Sequence, residues 1–439
     1  MIDRRQFIAV GCASAATFLF GGTRLCAQAG TTVSPEDHGA RGDGRSDDTA
    51  ALQRAMNSVP AGGSLQLRRG AVYRVHTNAN PSWGSFGGLR MKGGTTLEMN
   101  GAELRALPSS EGAGAVIQAY LADRWRIAGP GRIVGERAVH RGRAGEWGMG
   151  IAVFGSSQWA IDTDLEITGC WGDGVYAGRV PDRPGSYSTG FRIAGLEIHD
   201  CRRNGISIVG ARDGIIRDVH IYDINGTAPM AGIDLEPDTP AHGNRNILIE
   251  GVRTERVQIG VGVSVSNERV RIVRSRIEAA NSGIIISDHT RNLEIVDNLR
   301  IANTHGGAEG GAIRSMASDG ATINDVRIRN NTLAGGGFFV LDFTHSGYRG
   351  LSIADNIIQA SNSGTIGIAR MLGGGTFTGN HSIIERSAGQ VDDYYLQLHG
   401  VSYGGNRYES RSAARMRALK NGGRDLGGEV LVTPRSLVS

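Results

Sequence analysis

Lysine is nearly absent from this chain. Only Lys92 and Lys420 occur in 439 residues, and every other basic residue is an arginine. The formal charge is just +4, with no basic run and no pattern of base-stacking aromatics, so no known nucleic-acid module is present. The arginine bias fits either structural ion pairs or a surface suited to an anionic polymer, because the guanidinium fork matches carboxylate and phosphate. Cysteine is also scarce, at four residues. Without a CxxC or a helix-spaced histidine pair, zinc sites of the common kinds are excluded. No GxSxG elbow occurs; Ser207 sits in GISIVG, which reads as a plain strand. Gly129-Pro130-Gly131 turns the chain, but no lysine follows to make a phosphate loop. Aromatics are only 6%. The one extended apolar run, Phe7 to Phe20, is too short and too rich in small residues for a stable membrane span.

Glycine is the opposite case, with 67 residues, about twice average usage. It leads a recurring strand: GIAVFG from Gly150, GVYAG from Gly174, GISIVG from Gly205, GIDLEP from Gly232, GVGVSV from Gly260, GIIISD from Gly283, GAIRSM from Gly311 and GFFVLDF from Gly337. The intervals are 24, 31, 27, 28, 23, 28 and 26 residues. A period in this range means stacked units, each too thin to bury its own apolar face. Alternation inside each unit is a strand period, and the glycines are expected at tight bends. A second strand follows (Asn246 to Ile249, Arg269 to Ile272, Asn292 to Ile295), then a third (Ser275 to Ile277, Asn298 to Ile301). The expected fold is therefore all-β, a single parallel solenoid over residues 30–403. Residues 404–439 lose the period and read as a C-terminal cap or a partly disordered tail.

The N-terminus reads as an address. Arg4-Arg5 before the apolar run, with Ala27-Gln28-Ala29 as a small-x-small cleavage site, gives a twin-arginine export signal over 1–29. The mature protein is then expected in the periplasm or beyond. Cys170 and Cys201 each precede a repeat glycine by four residues, which puts them on adjacent rungs. In an oxidising compartment they either form a disulfide or stack as buried thiols.

After the signal, Gly39-Ala40-Arg41-Gly42-Asp43-Gly44, then Asp47-Asp48-Thr49-Ala50-Ala51-Leu52-Gln53, then Gly70 and Tyr73, resemble the opening motif of the pectate-lyase superfamily, as found in its rhamnogalacturonase-like and epimerase-like members. His38 and Arg69 replace the usual aromatic and proline. The resemblance implies a right-handed parallel β-helix whose open end is covered by an amphipathic helix bearing Leu52, Ala55, Met56 and Val59. It makes the motif aspartates structural and implies action on a polysaccharide. The segment Ile224 to Pro237 resembles bacterial β-helix proteins of the same superfamily. Two better-known signatures are absent: the ordered polygalacturonase motifs and the Asp-Pro-His of alginate epimerases.

Within GIDLEPD, alternation sends Ile233 and Leu235 inward and Asp234 and Glu236 outward, about 6.8 Å apart along the strand. Three roles stay open. The pair can carry acid and base work as an inverting hydrolase does, with carboxyl groups about 6.5–9.5 Å apart. With Asp238, it can hold calcium, which in lyases of this fold acidifies a uronate while an arginine acts as base; Arg203 and Arg314 are the candidates. Or it can pair with arginines as structure. Asp173, Tyr176, Arg202, Asn204 and Arg314 are the expected substrate contacts. The leading expectation is an exported enzyme that cleaves an acidic polysaccharide by β-elimination. A hydrolase using Asp234 and Glu236 comes second, and a glycan-binding surface protein third.

Overall fold

The computed structural model describes residues 30–77, 87–305, 310–316, 322–335, 338–344, 348–360, 367–384, 393–410 and 415–432. The expected export signal at 1–29 lies outside them. The glycine-led strands form one parallel ladder, thirteen strands among the described residues, from Leu89–Arg90 to Arg415–Asn421. Its inward row runs Ile151, Val175, Ile206, Ile233, Val261, Ile284 and Ile313 in unbroken register, and all seven are fully buried. The second and third strands of each coil, such as Asn244–Glu250 and Arg253–Glu255, pair the same way with their counterparts one coil on. A single continuous apolar core fills the solenoid.

The leading glycines are needed for close approach rather than for a special dihedral. A Cβ at Gly150, Gly174, Gly205, Gly232 or Gly260 would lie 2.5–2.7 Å from the carbonyl oxygen of the residue that starts the next rung. None of the five has a positive φ, so the expectation of tight bends is corrected to one of steric clearance.

The end cap forms as expected. Helix Thr49–Ser58 buries Ala51, Leu52, Ala55 and Met56. Asp48 is almost fully buried, and its carboxylate accepts the Arg41 and Gly42 amides at 2.7 and 3.1 Å, which pins the left-handed turn at Gly42. Tyr73 donates to Glu36 at 2.7 Å. The opening motif is thus a folding device.

At the other end the ladder does not stop at Gly404. Arg407–Ser410 pairs with His381–Ile384, and Val430–Val432 pairs with Arg407–Ser410. The winding therefore continues to Val432, although the sequence has lost its glycine marker there. Beneath these coils runs a buried column of side chains: Asn298, Asn331, Asn356, Asn380 and Asn406. Each of the first four amide groups donates to a backbone carbonyl and to the next asparagine's oxygen, and Asn406 ends the column on Glu429 Oε1 at 3.0 Å. For Asn331 these are Ile295 O at 2.8 Å and Asn356 Oδ1 at 3.0 Å. The column satisfies polar groups that the turns would otherwise bury unpaired.

Cys170 and Cys201 are both buried free thiols, which corrects the disulfide alternative. Each sulfur turns back to a carbonyl two residues earlier, Thr168 O at 3.9 Å and His199 O at 3.5 Å. The neighbouring Cys201 thiol and then burial push the Cys170 pKa up, the behaviour of inert stacked core thiols.

Candidate active site

The outward row of the same ladder reads Ala152, Tyr176, Ser207, Asp234, Gly262, Ile285, Arg314 and Asp342. Asp234 faces away from the core as alternation requires, yet it is only 4% exposed. Polar neighbours cover it. Asn204, itself fully buried, donates to Ser207 Oγ at 3.1 Å and to Asp234 Oδ2 at 3.4 Å, while its own oxygen accepts the Ala231 amide at 2.9 Å. Ser207 donates to Asp173 at 2.8 Å. Asp173 also takes the Asn204 amide at 3.1 Å and Arg203 Nη1 at 3.3 Å. On the rung below, Gly262 makes the seat, since a Cβ there would lie 2.9 Å from Asp234 Oδ1.

Glu236 is half-exposed, beyond Leu235 on the same strand face, and its carboxylate stands 3.8 Å from Arg203 Nη2. Both carboxyl groups line one pocket. Burial, and then the charge of Glu236, hold Asp234 well above the usual carboxylate range, with Arg203 opposing. Asp234 therefore keeps its proton where an ordinary aspartate has lost it. Asp173 is pushed up to about 6, chiefly by burial.

Arg203, Ser207, Asp234 and Glu236 floor an open pocket of about 280 Å³. Tyr176 and Val209 line it above, Pro237 and Val265 below. Its far wall is Glu146, Trp147 and Met149, at the start of strand Trp147–Phe154. Trp147 is 44% exposed at the mouth. The wall is anchored by Trp171 Nε1 on Ala144 O at 3.1 Å and by Arg202 Nη1 on Gly145 O at 2.8 Å. Reading that strand from Gly150 missed these residues. The glutamate–tryptophan pair just ahead of the repeat was the available signal.

Several expected contacts move. Arg202 stacks on the Trp171 ring, 3.9 Å from its centroid, and anchors the wall instead of lining the pocket. Asp173 and Asn204 lie behind the pocket floor and position Asp234. Arg314 stands three rungs below Asp234, about 14 Å away at the usual strand spacing, and does not reach the pocket. Asp238 turns to Arg179 Nη2 at 3.5 Å. Asp234, Glu236 and Asp238 consequently do not converge, and no group of three metal-ligating acidic, histidine or cysteine side chains exists among the described residues, which corrects the calcium assignment. Arg203 lies within 4 Å of Asp173, Glu146 and Glu236, and its pKa is raised. A guanidinium held in this way is a poor base. His220 pairs with Glu255 at 2.9 Å and His242 with Thr239 at 2.8 Å, both away from the pocket.

A family profile described as "Right handed beta helix region" matches residues 145–308. The chain is a right-handed parallel β-helix. This β-helix is similar to the A-module of the mannuronan C-5 epimerase AlgE6 of Azotobacter vinelandii, at 16% identity and a TM-score of 0.59, over 92% of this chain and 100% of that one. It is also similar to the N-terminal fragment of bacteriophage phi29 gene product 12, at 12% identity and 0.54, over 91% and 71%. A third likeness is to the polygalacturonase of Erwinia carotovora, at 14% identity and 0.51, over 89% and 96%. At these identities the likeness is one of fold, and that fold is the one the opening motif implied, the fold of the pectate-lyase superfamily.

Proposed function

We propose that this β-helix is a polysaccharide-cleaving enzyme and that the pocket over Asp234 and Glu236 is its active centre. The observation that carries the proposal is the pairing itself: a buried aspartic acid and a half-exposed glutamate lining one open cleft, with burial and the neighbouring charge raising the proton affinity of the aspartate. Two carboxyl groups with separated proton affinities divide the work of glycosidic hydrolysis. Asp234 donates its proton to the leaving oxygen. Glu236 stabilises the positive charge that develops at the anomeric carbon, where water adds as the glycosidic bond breaks and returns a proton to Asp234. Asn204, Ser207 and Asp173 fix the donor's orientation, and Arg203 ties Glu236 to the same network.

β-Elimination at a uronate is the second reading. The fold likeness to a mannuronan epimerase supports a uronate substrate for it, but the ion-paired Arg203 does not supply its base. Export through the twin-arginine route, read from Arg4-Arg5, supports a substrate outside the cytoplasm. Its check is fractionation of cells making the full chain: an Arg4→Lys, Arg5→Lys double variant stays cytoplasmic.

Product analysis separates the readings. The chain without its signal is incubated with a panel of neutral and uronate polysaccharides. New reducing ends without ultraviolet absorbance establish hydrolysis. Absorbance from an unsaturated sugar establishes elimination. Binding without either product leaves a glycan-binding protein and overturns the enzyme proposal.

A further inference from the structure

We infer that the sugar ring seated in this pocket carries no carboxylate, so the unit recognised there is a neutral or amino sugar and not a uronate; this deepens the cleavage reading above and rests on it. The charged residues that line the pocket are Glu146, Asp234, Glu236 and Asp238 against one cation, Arg203. With Asp234 neutral, acid still outnumbers base. Arg203 is already engaged on three sides, 3.3 Å from Asp173, 3.8 Å from Glu236 and 3.9 Å from Glu146. Arg179, just outside, is committed to Asp238 and to the carbonyls of Val180 and Pro181. A uronate would bring another carboxylate beside Glu236 and Asp238 and would find no uncommitted guanidinium fork to receive it. Unpaired like charges in a partly desolvated site are a means of rejecting ligands. The Tyr176 phenol reports the same field, since after burial the acids Asp238 and Asp173 push its pKa up.

What the pocket does offer is apolar surface for the face of a ring, from Trp147 and Met149 on one wall and from Val209 and Val265 near the floor, with carboxylates at the mouth to accept hydroxyl or ammonium hydrogens. The arginine surplus, which suggested an anionic polymer, is used elsewhere. Arg132 pairs with Glu166, Arg256 with Asp223, Arg271 with Glu294 and Arg291 with Glu268, in ladders on the other faces.

The test uses matched polymers. Each uronate polysaccharide is paired with its carboxyl-reduced form, which keeps the backbone and removes the charge; a de-N-acetylated amino polymer is added. Cleavage is measured, and binding is read from Trp147 fluorescence against Trp147→Phe. The carboxylate-free member of a pair should be bound or cleaved at least tenfold better, and Asp238→Asn should narrow that ratio. A uronate member preferred over its reduced form overturns the inference while leaving an enzyme in place. Preferential binding of reduced or amino polymers with no cleavage supports the inference and overturns the enzyme proposal. Failure of every polymer to perturb Trp147 overturns both.

Discussion

Asn331→Ala should destabilise the lower coils by roughly 3–5 kcal/mol. Asn331 Oδ1 accepts both the amide N–H and the side-chain Nδ2 of Asn298, at 3.0 and 2.9 Å. Its own Nδ2 donates to Ile295 O at 2.8 Å. Truncation leaves two donors and one carbonyl without these partners, and takes one of the two Asn331 hydrogen bonds from Asn356 Oδ1, in a site where Asn298, Asn331 and Asn356 are all at most 2% exposed. Each buried orphan costs about 1–3 kcal/mol, the donors dominating. Asn331→Asp preserves both acceptors but presents an oxygen to Ile295 O and Asn356 Oδ1. It must stay protonated to hydrogen-bond there, so its folded pKa is raised, and its stability should fall as pH rises above the ordinary aspartate value near 3.9. Because each coil contacts only its neighbours, hydrogen exchange is the assay of choice, with chemical denaturation beside it. Protection should drop in Arg291–Val296 and Ile323–Arg329 and be retained in Ala113–Tyr120. A loss below about 1 kcal/mol in the alanine variant, or a uniform loss along the solenoid, would refute both the energetic role of the column and the locality.

Two further variants probe the site. Gly262→Ala places a Cβ 2.9 Å from Asp234 Oδ1, so turnover should fall about tenfold or more with the fold intact by circular dichroism; unchanged turnover means the seat is not needed. Asp173 has a folded pKa near 6 against a reference of 3.8, so the native state binds the extra proton and stability falls as pH rises through that window, by about 3 kcal/mol. Asp173→Asn should remove this slope from denaturation midpoints measured between pH 4 and 7, and a slope identical to that of the parent protein contradicts the assignment.

The fold was legible because a glycine-led strand repeats about once per coil and its alternation assigns inside and outside; Ile233 in and Asp234 out followed directly. The reason for the glycines was not legible, because clearance against a neighbouring carbonyl leaves no local mark distinct from a bend. The lower coils past Gly404 were hidden for a related reason: buried Asn406 and Tyr408 hold them without a leading glycine to mark the coil. In the site, register alone brought Tyr176, Ser207 and Asp234 together. The wall at Glu146 and Trp147 was hidden, because its position depends on Trp171 and Arg202 anchoring a bend across more than twenty residues of sequence. Arg202 and Arg203 illustrate the limit well. Adjacent in sequence, they point to opposite duties, one stacked on Trp171 and the other at the carboxyl pair.

The most direct test of the central claim is the turnover of Asp234→Asn on whichever polymer the parent protein cleaves. Asparagine keeps the shape and the contact with Asn204 but cannot deliver a proton. If Asp234 is the acid, kcat falls about 10²–10⁴-fold with KM little changed. A variant that turns over within about threefold of the parent protein would contradict the account and move the chemistry out of this pocket.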